Sequence, residues 1–593
     1  SSPRTVVARA RKPVHQGDPL GNPNATFVPR GESVLSRIEP GAIGSVLVLV
    51  LLIGGIGYGG WSVLREVQRV QVAPVDQAPV VVAEIDPLGN VGAGATLRIA
   101  EAAGTDEDAE ALAGAVPSAE ALGRLYRPQA LDMPVMVARD GPIAAIDPRR
   151  DAGRSRIDEA VAALAEEEAR FTAANPRSRE RALAAAAVMP GGNTRTVLHY
   201  TPFPLAFARG EGATVTDLDG HSYRDFLGEY SAGIYGHSHP VIIAAAKGAI
   251  EGGLVLGGPN MYEAKLAAAI AARFPSVERI RFTNSGTEAN LMALVTAIAA
   301  SGRTRVLGFR GGYHGGVLTL KPGVLTNAPF DFALARYNDL ASVEALLREG
   351  ADQFACAIVE PVMGGAGAIP ATPEFLRGLR ALTARHGILL ILDEVMTSRH
   401  GPGGVQGLLG ITPDLTTFGK YLGGGFSFGA FGGRADLMER YDPYRPDAFA
   451  HAGTFNNNVT SMAAGYAGLS EVFTAAAAET LFARGERLRG RLNEAAVAAD
   501  VPVRATGLGS MIGIHPTDRP IATAEDAPEA KEARALIHLA LIARGIYMAR
   551  RGFMTLSLPQ TPEDDDALVA AFADVLRTHA RVLRDHAAAR TDA

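Results

Sequence analysis

Lys420 stands between a short apolar run and a glycine cluster in TTFGKYLGGG, residues 416–425. A lysine amine becomes a nucleophile when burial or nearby cations lower its pKa from about 10.4, and it can then form a Schiff base with a carbonyl. On its own the stretch also fits a solvated surface lysine, so the other reactive groups decide. In SGTEAN, Ser285 to Asn290, Gly286 lets a backbone approach closely and Ser285 and Thr287 bring hydroxyls. The helix that opens there offers free N–H groups and a positive dipole, which suits a phosphate. In GGYHGG, Tyr313 can stack on a flat heterocycle and His314 can bond at its rim. Glu360 opens EPVMGG, and Asp393 opens DEVMTSR directly after the apolar run ILLIL. An unpaired carboxylate at the mouth of a buried strand is costly, so Asp393 needs a partner. Arg195 follows the pair Gly191-Gly192, and its guanidinium is a planar fork suited to a carboxylate.

These residues must be carried by something regular. Short apolar runs, RIRFT, RVLGF, ACAIV, ILLIL and LTTF, alternate with amphipathic helices. That alternation predicts an α/β fold with a mainly parallel sheet covered on both faces, whose ligands gather at the carboxyl ends of the strands. The helix before ILLIL shows the grammar: Thr372 as cap, Pro373 in the first turn, Leu376, Leu379 and Leu382 on one face, Gly387 at the end. Farther upstream, Ile157, Val161, Leu164 and Phe171 have helical spacing, and Asn175-Pro176 stops that helix. Asp219-Gly220 marks a hairpin. His237 and His239 in GHSHP have no third ligand nearby, so hydrogen bonding is expected of them and no metal site is.

Composition narrows the classes. The chain has 593 residues, 47% hydrophobic and 20% charged, with net charge -6 and a sequence pI near 6.1. That is a globular balance with no basic bias, and nucleic acid is excluded as a partner. Cys356, the one cysteine, sits in ACAIV and reads as a packed core residue, with no internal disulfide. The front of the chain differs. Residues 1–39 read as a disordered polar tail with six Lys or Arg against three acids. Residues 40–64 carry no charge and are long enough for a transmembrane helix, and 65–156 read as a linker or stem. The arginines flanking 40–64 give no orientation.

A phosphate cup, a stacking aromatic, a carboxylate able to keep a pyridine nitrogen protonated and a Schiff-base lysine form one chemical set, that of pyridoxal 5'-phosphate as electron sink. From about residue 157 to 583, SGTEAN, YHG, DEV, GK and GTFNNN stand in the order found in class III, fold-type I aminotransferases, and the chain resembles that family. NTRTVLHYTPFP, EYSAGIYGHSHP and RRGF are similar to the branch acting on aromatic β-amino acids such as β-phenylalanine.

The resemblance implies a large mainly parallel-sheet domain over 229–480 and a smaller α+β domain built from 157–228 and 481–593. It implies that Lys420 holds the cofactor and shuttles the proton, that Asp393 pairs with the ring nitrogen and that Val395 packs on the ring. Ser285, Gly286 and Thr287 would bind phosphate with Thr454, contributed by the partner of a homodimer. Tyr313 would stack on the ring, and Glu360 and His314 would support it. Arg195 and Arg551 would be two well-separated clamps for carboxylates, although Arg550 stands where the branch has proline and leaves open which of the two arginines turns inward. The implied reaction is ping-pong transamination of an aromatic β-amino acid, with 2-oxoglutarate or pyruvate as acceptor. The catalytic domain is expected to be cytoplasmic, and the uncharged run 40–64, outside the resemblance, is expected to serve as a single-pass inner-membrane anchor. The alternatives are a glutamate-1-semialdehyde 2,1-aminomutase and, from another class, a membrane-tethered interaction protein with an inactive aminotransferase domain.

Overall fold

The computed structural model describes residues 81–82, 98–99 and 148–589. The chain divides into two units, residues 1–142 and 143–593. In the first, the described residues are two short strands, Val81–Val82 and Arg98–Ile99, paired antiparallel. The polar tail expected over 1–39, the membrane span expected over 40–64 and nearly all of the expected stem lie outside the described residues. Among the described residues no helix is long and apolar enough to cross a membrane.

The second unit opens with helix α1, Pro148–Ala174. Its buried stripe is Ala160, Glu167 and Phe171, with Leu164 half-buried, whereas Val161, expected on this face, is 49% exposed. Leu164 and Phe171 of the expected face are thus covered, while Ala160 and Glu167 take the place of Val161, and a buried carboxylate is what a hydrophobic pattern passes over. Asn175 separates α1 from α2, Pro176–Ala186. Strands β1 (Phe207–Glu211), β2 (Thr214–Asp217) and β3 (Ser222–Asp225) form an antiparallel meander, with Asp219-Gly220 in the turn between β2 and β3 and Gly220 at φ +96.

The centre is a seven-stranded sheet. Its members are β4 (Arg279–Thr283), β5 (Arg305–Phe309), β6 (Asp331–Ala335), β7 (Phe354–Val359), β8 (Leu389–Asp393), β9 (Leu415–Gly419) and β10 (Gly429–Gly433), in the spatial order β4-β10-β9-β8-β7-β5-β6. All pairings are parallel except those of β10, which runs antiparallel to β9 and to β4. The sheet is thus mainly parallel, as expected, with one reversed strand. Side chains alternate between its faces. Val306, Cys356, Ile358, Ile391 and Leu415 pack on one side with helix α3 (Gly286–Ser301), through Ala293, Leu294 and Ala297. Leu307, Ala357, Val359, Leu390 and Leu392 pack on the other with helix α4 (Pro373–Arg385), through Phe375, Leu376, Leu379 and Leu382. Thr372 caps α4 by accepting the Phe375 N–H at 3.1 Å, and Gly387 follows at φ +61.

The C-terminal segment returns to the start of the unit. Strands β11 (Arg504–Leu508), β12 (Met511–His515) and β14 (Phe553–Thr555) form a three-stranded sheet. The intervening β13 (Ile546–Tyr547) lies parallel to β3 and completes the meander sheet. One apolar core joins Phe226, Leu266, Phe418, Leu488, Ile512 and Phe572 from across this unit.

Candidate active site

Asp393, the last residue of β8, is buried with three donors around it. Its Oδ2 accepts from Nδ1 of His314 at 2.7 Å and from Nδ2 of Asn290 at 2.9 Å, and its Oδ1 accepts the Val395 N–H at 3.1 Å. A carboxylate only accepts, so the proton of this pair sits on Nδ1 of His314. Burial disfavours the charged imidazole of His314, but the hydrogen bond and charge of Asp393 outweigh it and raise the pKa. Asn290 also donates to the His314 carbonyl at 2.9 Å, and its Oδ1 accepts from Oγ1 of Thr417 at 2.6 Å, which fixes the orientation of the carboxamide. Glu360, at the end of β7, accepts the N–H of Tyr313 at 2.8 Å and of Gly364 at 3.1 Å. Burial pushes its carboxyl up to about 7, against the opposing charge of His314.

Beside this network, after β4, Ser285 caps α3 by accepting the Glu288 N–H at 3.2 Å. The N–H groups of Gly286 and Thr287 occupy the first helical positions, where no intrahelical acceptor exists. A Cβ on Gly286 would lie 2.7 Å from Cγ1 of Val395, so this glycine is what lets Val395 close over the helix start. Gly315, at φ +136, does the same for the Tyr313–Gly316 loop, since a Cβ there would lie 2.4 Å from Oγ1 of Thr287. That oxygen accepts the Gly316 N–H at 3.2 Å. Thr454 is exposed on a turn two residues before Asn456, which accepts from Asn284 at 3.1 Å.

Lys420 directly follows β9 and has a left-handed backbone, φ +56. For a residue with a Cβ that conformation costs about 1–3 kcal/mol and persists only where surroundings impose it. Its amine is lowered to about 8, first by burial and then by Arg551, with Arg195 acting in the same direction and Glu229 and Asp393 opposing.

Arg551 and Arg550 point to different surroundings. Arg551 has its Cζ 5.3 Å from the centre of the Tyr230 ring and 5.2 Å from that of Phe553, with its Nε buried and unpartnered. Arg550 donates to Oγ1 of Thr201 at 3.0 Å and lies 3.9 Å from Glu168. Arg195 is ion-paired with Glu229, and its Cζ is 5.8 Å from the same Tyr230 ring. The two arginines expected as well-separated clamps therefore both lie over one aromatic ring, that of Tyr230 in the turn at 228–231. His237 lies outside this set, hydrogen-bonded to Asp225 at 2.9 Å.

A family model described as aminotransferase class-III matches residues 197–574. The chain belongs to the class-III aminotransferases. It is 49% identical over 424 residues to the β-phenylalanine transaminase of Variovorax paradoxus, covering 71% of this chain and 97% of that protein. The crystal structure of the Variovorax paradoxus β-phenylalanine aminotransferase superposes with a TM-score of 0.70 at 48% identity, covering 71% of this chain and 98% of that one. A glutamate-1-semialdehyde 2,1-aminomutase of Roseiflexus castenholzii is 39% identical, covering 68% of this chain and 97% of the mutase. A transaminase solved with PLP bound matches at 33% identity and TM-score 0.64, covering 69% of this chain and 98% of that one.

Pyridoxal phosphate is the cofactor of this class-III aminotransferase, and the residues present fit it. The fit rests on the free N–H groups of the α3 start, on the close packing of Val395 and Thr287 around it that Gly286 and Gly315 permit, and on a buried acid supplied with three donors. The sequence reading named Asp393, Ser285 to Thr287 and Lys420, but it gave no role to Asn290, Thr417, Glu229 or Tyr230. Asn290 was legible in principle: it follows Gly286 by four residues, so it lies on the same helix face as the cup.

Proposed function

We propose that this aminotransferase moves the amino group of an aromatic β-amino acid, of the β-phenylalanine kind, to 2-oxoglutarate or pyruvate in a ping-pong reaction. The observation that carries the reading is the pair Arg551 and Arg195, cations that both act on Lys420 and both lie over the Tyr230 ring. The likeness to a β-phenylalanine transaminase supports it. When bound, pyridoxal phosphate supplies a carbonyl carbon for the amine and an electron sink for the carbanion.

The chain's own residues supply the rest. Arg551 binds the carboxylate of the β-amino acid, and Arg195 is available to the second carboxylate of a dicarboxylic acceptor. The amine of Lys420, with its pKa near 8, takes the proton from the amino-bearing carbon and would deliver it to the carbon that the cofactor contributes as its carbonyl, so that the amino group stays behind when the keto acid leaves. Asp393, supplied with donors by His314, Asn290 and Val395, is the residue that would face the cofactor's ring nitrogen and favour its protonated form. Val395 and Tyr313 would enclose the ring, supported by Glu360 and His314, and Ser285, Gly286 and Thr287 would hold the phosphate. The site is completed by Thr454 of a second copy in a homodimer. Residues 229–480 act as the cofactor domain, and 157–228 with 481–593 as the small domain.

The deciding assay mixes purified protein with β-phenylalanine and 2-oxoglutarate. Glutamate is expected, and Lys420→Ala abolishes it. Turnover of glutamate-1-semialdehyde with no keto acid present, and none of β-phenylalanine, would instead establish the mutase activity.

A further inference from the structure

Tyr230 belongs to a run of left-handed backbone that is rare outside glycine: Glu229 at φ +46, Tyr230 at +54 and Ser231 at +80. Such strain persists only where several contacts impose it, and it tends to mark a functional position. The contacts are present. Oδ1 of Asp225 accepts the N–H of Leu227 at 2.8 Å and of Gly228 at 3.0 Å, and Thr555 donates to the Leu227 carbonyl at 2.9 Å. What this scaffold presents is a ring that touches both arginine segments. The Tyr230 hydroxyl donates to the carbonyl of Val197, two residues past Arg195, at 3.1 Å. Its ring stacks on Phe553, two residues past Arg551, at 6.2 Å and 11°. The two guanidinium groups lie over the same ring, at 5.8 and 5.3 Å.

We propose that Tyr230 is a specificity-determining positioning residue: its ring sets the spacing of the Arg195 and Arg551 guanidinium groups, and so the length of dicarboxylic acid that bridges them. This rests on the reading of both arginines as carboxylate clamps. A carboxylate–guanidinium pair is bidentate and directional, so a diacid one methylene too short or too long satisfies only one clamp. Each guanidinium keeps its attraction to the ring face while it binds, which ties both clamp positions to the ring rather than to two mobile side chains.

The test uses the cofactor-loaded protein with unreactive acids, succinate, glutarate and adipate, and butyrate as a monocarboxylate needing one clamp. Binding is measured by calorimetry, which requires no turnover. The wild type is expected to favour one diacid over the other lengths by at least about fivefold, roughly 1 kcal/mol. Tyr230→Phe keeps that optimum, Tyr230→Leu brings the three diacids within about twofold of one another, and butyrate changes by less than about threefold in either. Tyr230→Trp, with a wider ring, shifts the optimum towards the longer acid and decides the matter if Tyr230→Leu loses its cofactor. A wild type without a length preference, or a Leu or Trp variant with the wild-type ranking, overturns the proposal. Glutamate formation from β-phenylalanine is scored separately: its absence removes the substrate reading and leaves the length result standing, and the reverse pattern removes this inference alone.

Discussion

Lys420 owes its reactivity to groups that arrive from elsewhere in the chain, and the consequence is a pH dependence. With burial first and Arg551 second, its amine titrates near 8, so about half is neutral at that pH, against well under one hundredth for a lysine at about 10.4. For cofactor-free protein, the rate at which added pyridoxal phosphate develops the visible absorbance of the lysine-bound cofactor is expected to rise with pH through a midpoint near 8. Arg551→Gln removes a cation that lowers the pKa and moves the midpoint up, while Arg550→Gln leaves it in place. The sign for stability follows. The unfolded lysine binds its proton more tightly, so this residue destabilises the cofactor-free fold below about pH 8, and that penalty fades as pH rises towards about 10.4. Asn290 makes a second residue-level case. Asn290→Leu strips one donor from Asp393 and leaves Thr417 unpaired, and hydrogen bonds to a buried charge are worth about 1.5–3 kcal/mol. Cofactor affinity, read by equilibrium titration, is expected to fall about 10- to 100-fold, with a smaller loss for Asn290→Gln. The sequence showed Asp393 because an acid ending an apolar strand is conspicuous; it hid Asn290 because a carboxamide inside a helix is ordinary until its partner is in place.

At the scale of elements, legibility followed burial. Strands β5, β7, β8 and β9 could be read as apolar runs, because interior strands of a two-sided sheet are buried on both faces, whereas β4 lies at the sheet edge, is only partly buried and is legible from the alternation in RIRFT. Strand β10, GAFGG, could not. A Cβ at Gly429 would lie 2.1 Å from the Ser285 carbonyl oxygen, and one at Gly433 would lie 2.1 Å from that of Asp414. The strand is glycine-rich because neighbouring backbone presses on it, and the same glycines erase its hydrophobic signal. Helix α4 had full punctuation and matched residue for residue, which allows a clean stability test. Thr372→Ala removes the cap to the Phe375 N–H and is expected to cost about 1 kcal/mol in denaturant unfolding, with no change in cofactor affinity. Gly315→Ala is the opposite experiment. It places a Cβ against Thr287 at a left-handed φ, and is expected to weaken phosphate-dependent cofactor binding before it affects the fold.

At the scale of the whole molecule, the site is a closure of distant parts. Tyr230 follows β3, Lys420 follows β9 and Arg551 follows β13, and the parallel pairing of Ile546 with Arg224 brings the last to the first. Sequence motifs could supply each piece but not this closure, which depends on β-pairing across more than half of the second unit. The described site residues all lie in residues 143–593, one compact unit, so a chain starting at residue 143 is expected to bind cofactor and turn over substrate within about twofold of the full chain. A fall in cofactor occupancy on removing residues 1–142 would assign that segment a part in the fold. The surface of the unit carries the remaining test. Val255 is 83% exposed, Met261 65% and Phe455 58%, the last adjacent to Thr454. Exposed apolar side chains of this size beside a residue assigned to a partner's phosphate site fit a face covered by a second copy. Light scattering of the 143–593 chain is expected to give twice the mass of one chain. Phe455→Glu is expected to shift that mass towards the monomer and to lower cofactor affinity in parallel, whereas Thr454→Ala lowers the affinity and leaves the mass unchanged. If Phe455→Glu yielded monomers with wild-type cofactor affinity, each chain would hold its phosphate alone and Thr454 would have no part in it.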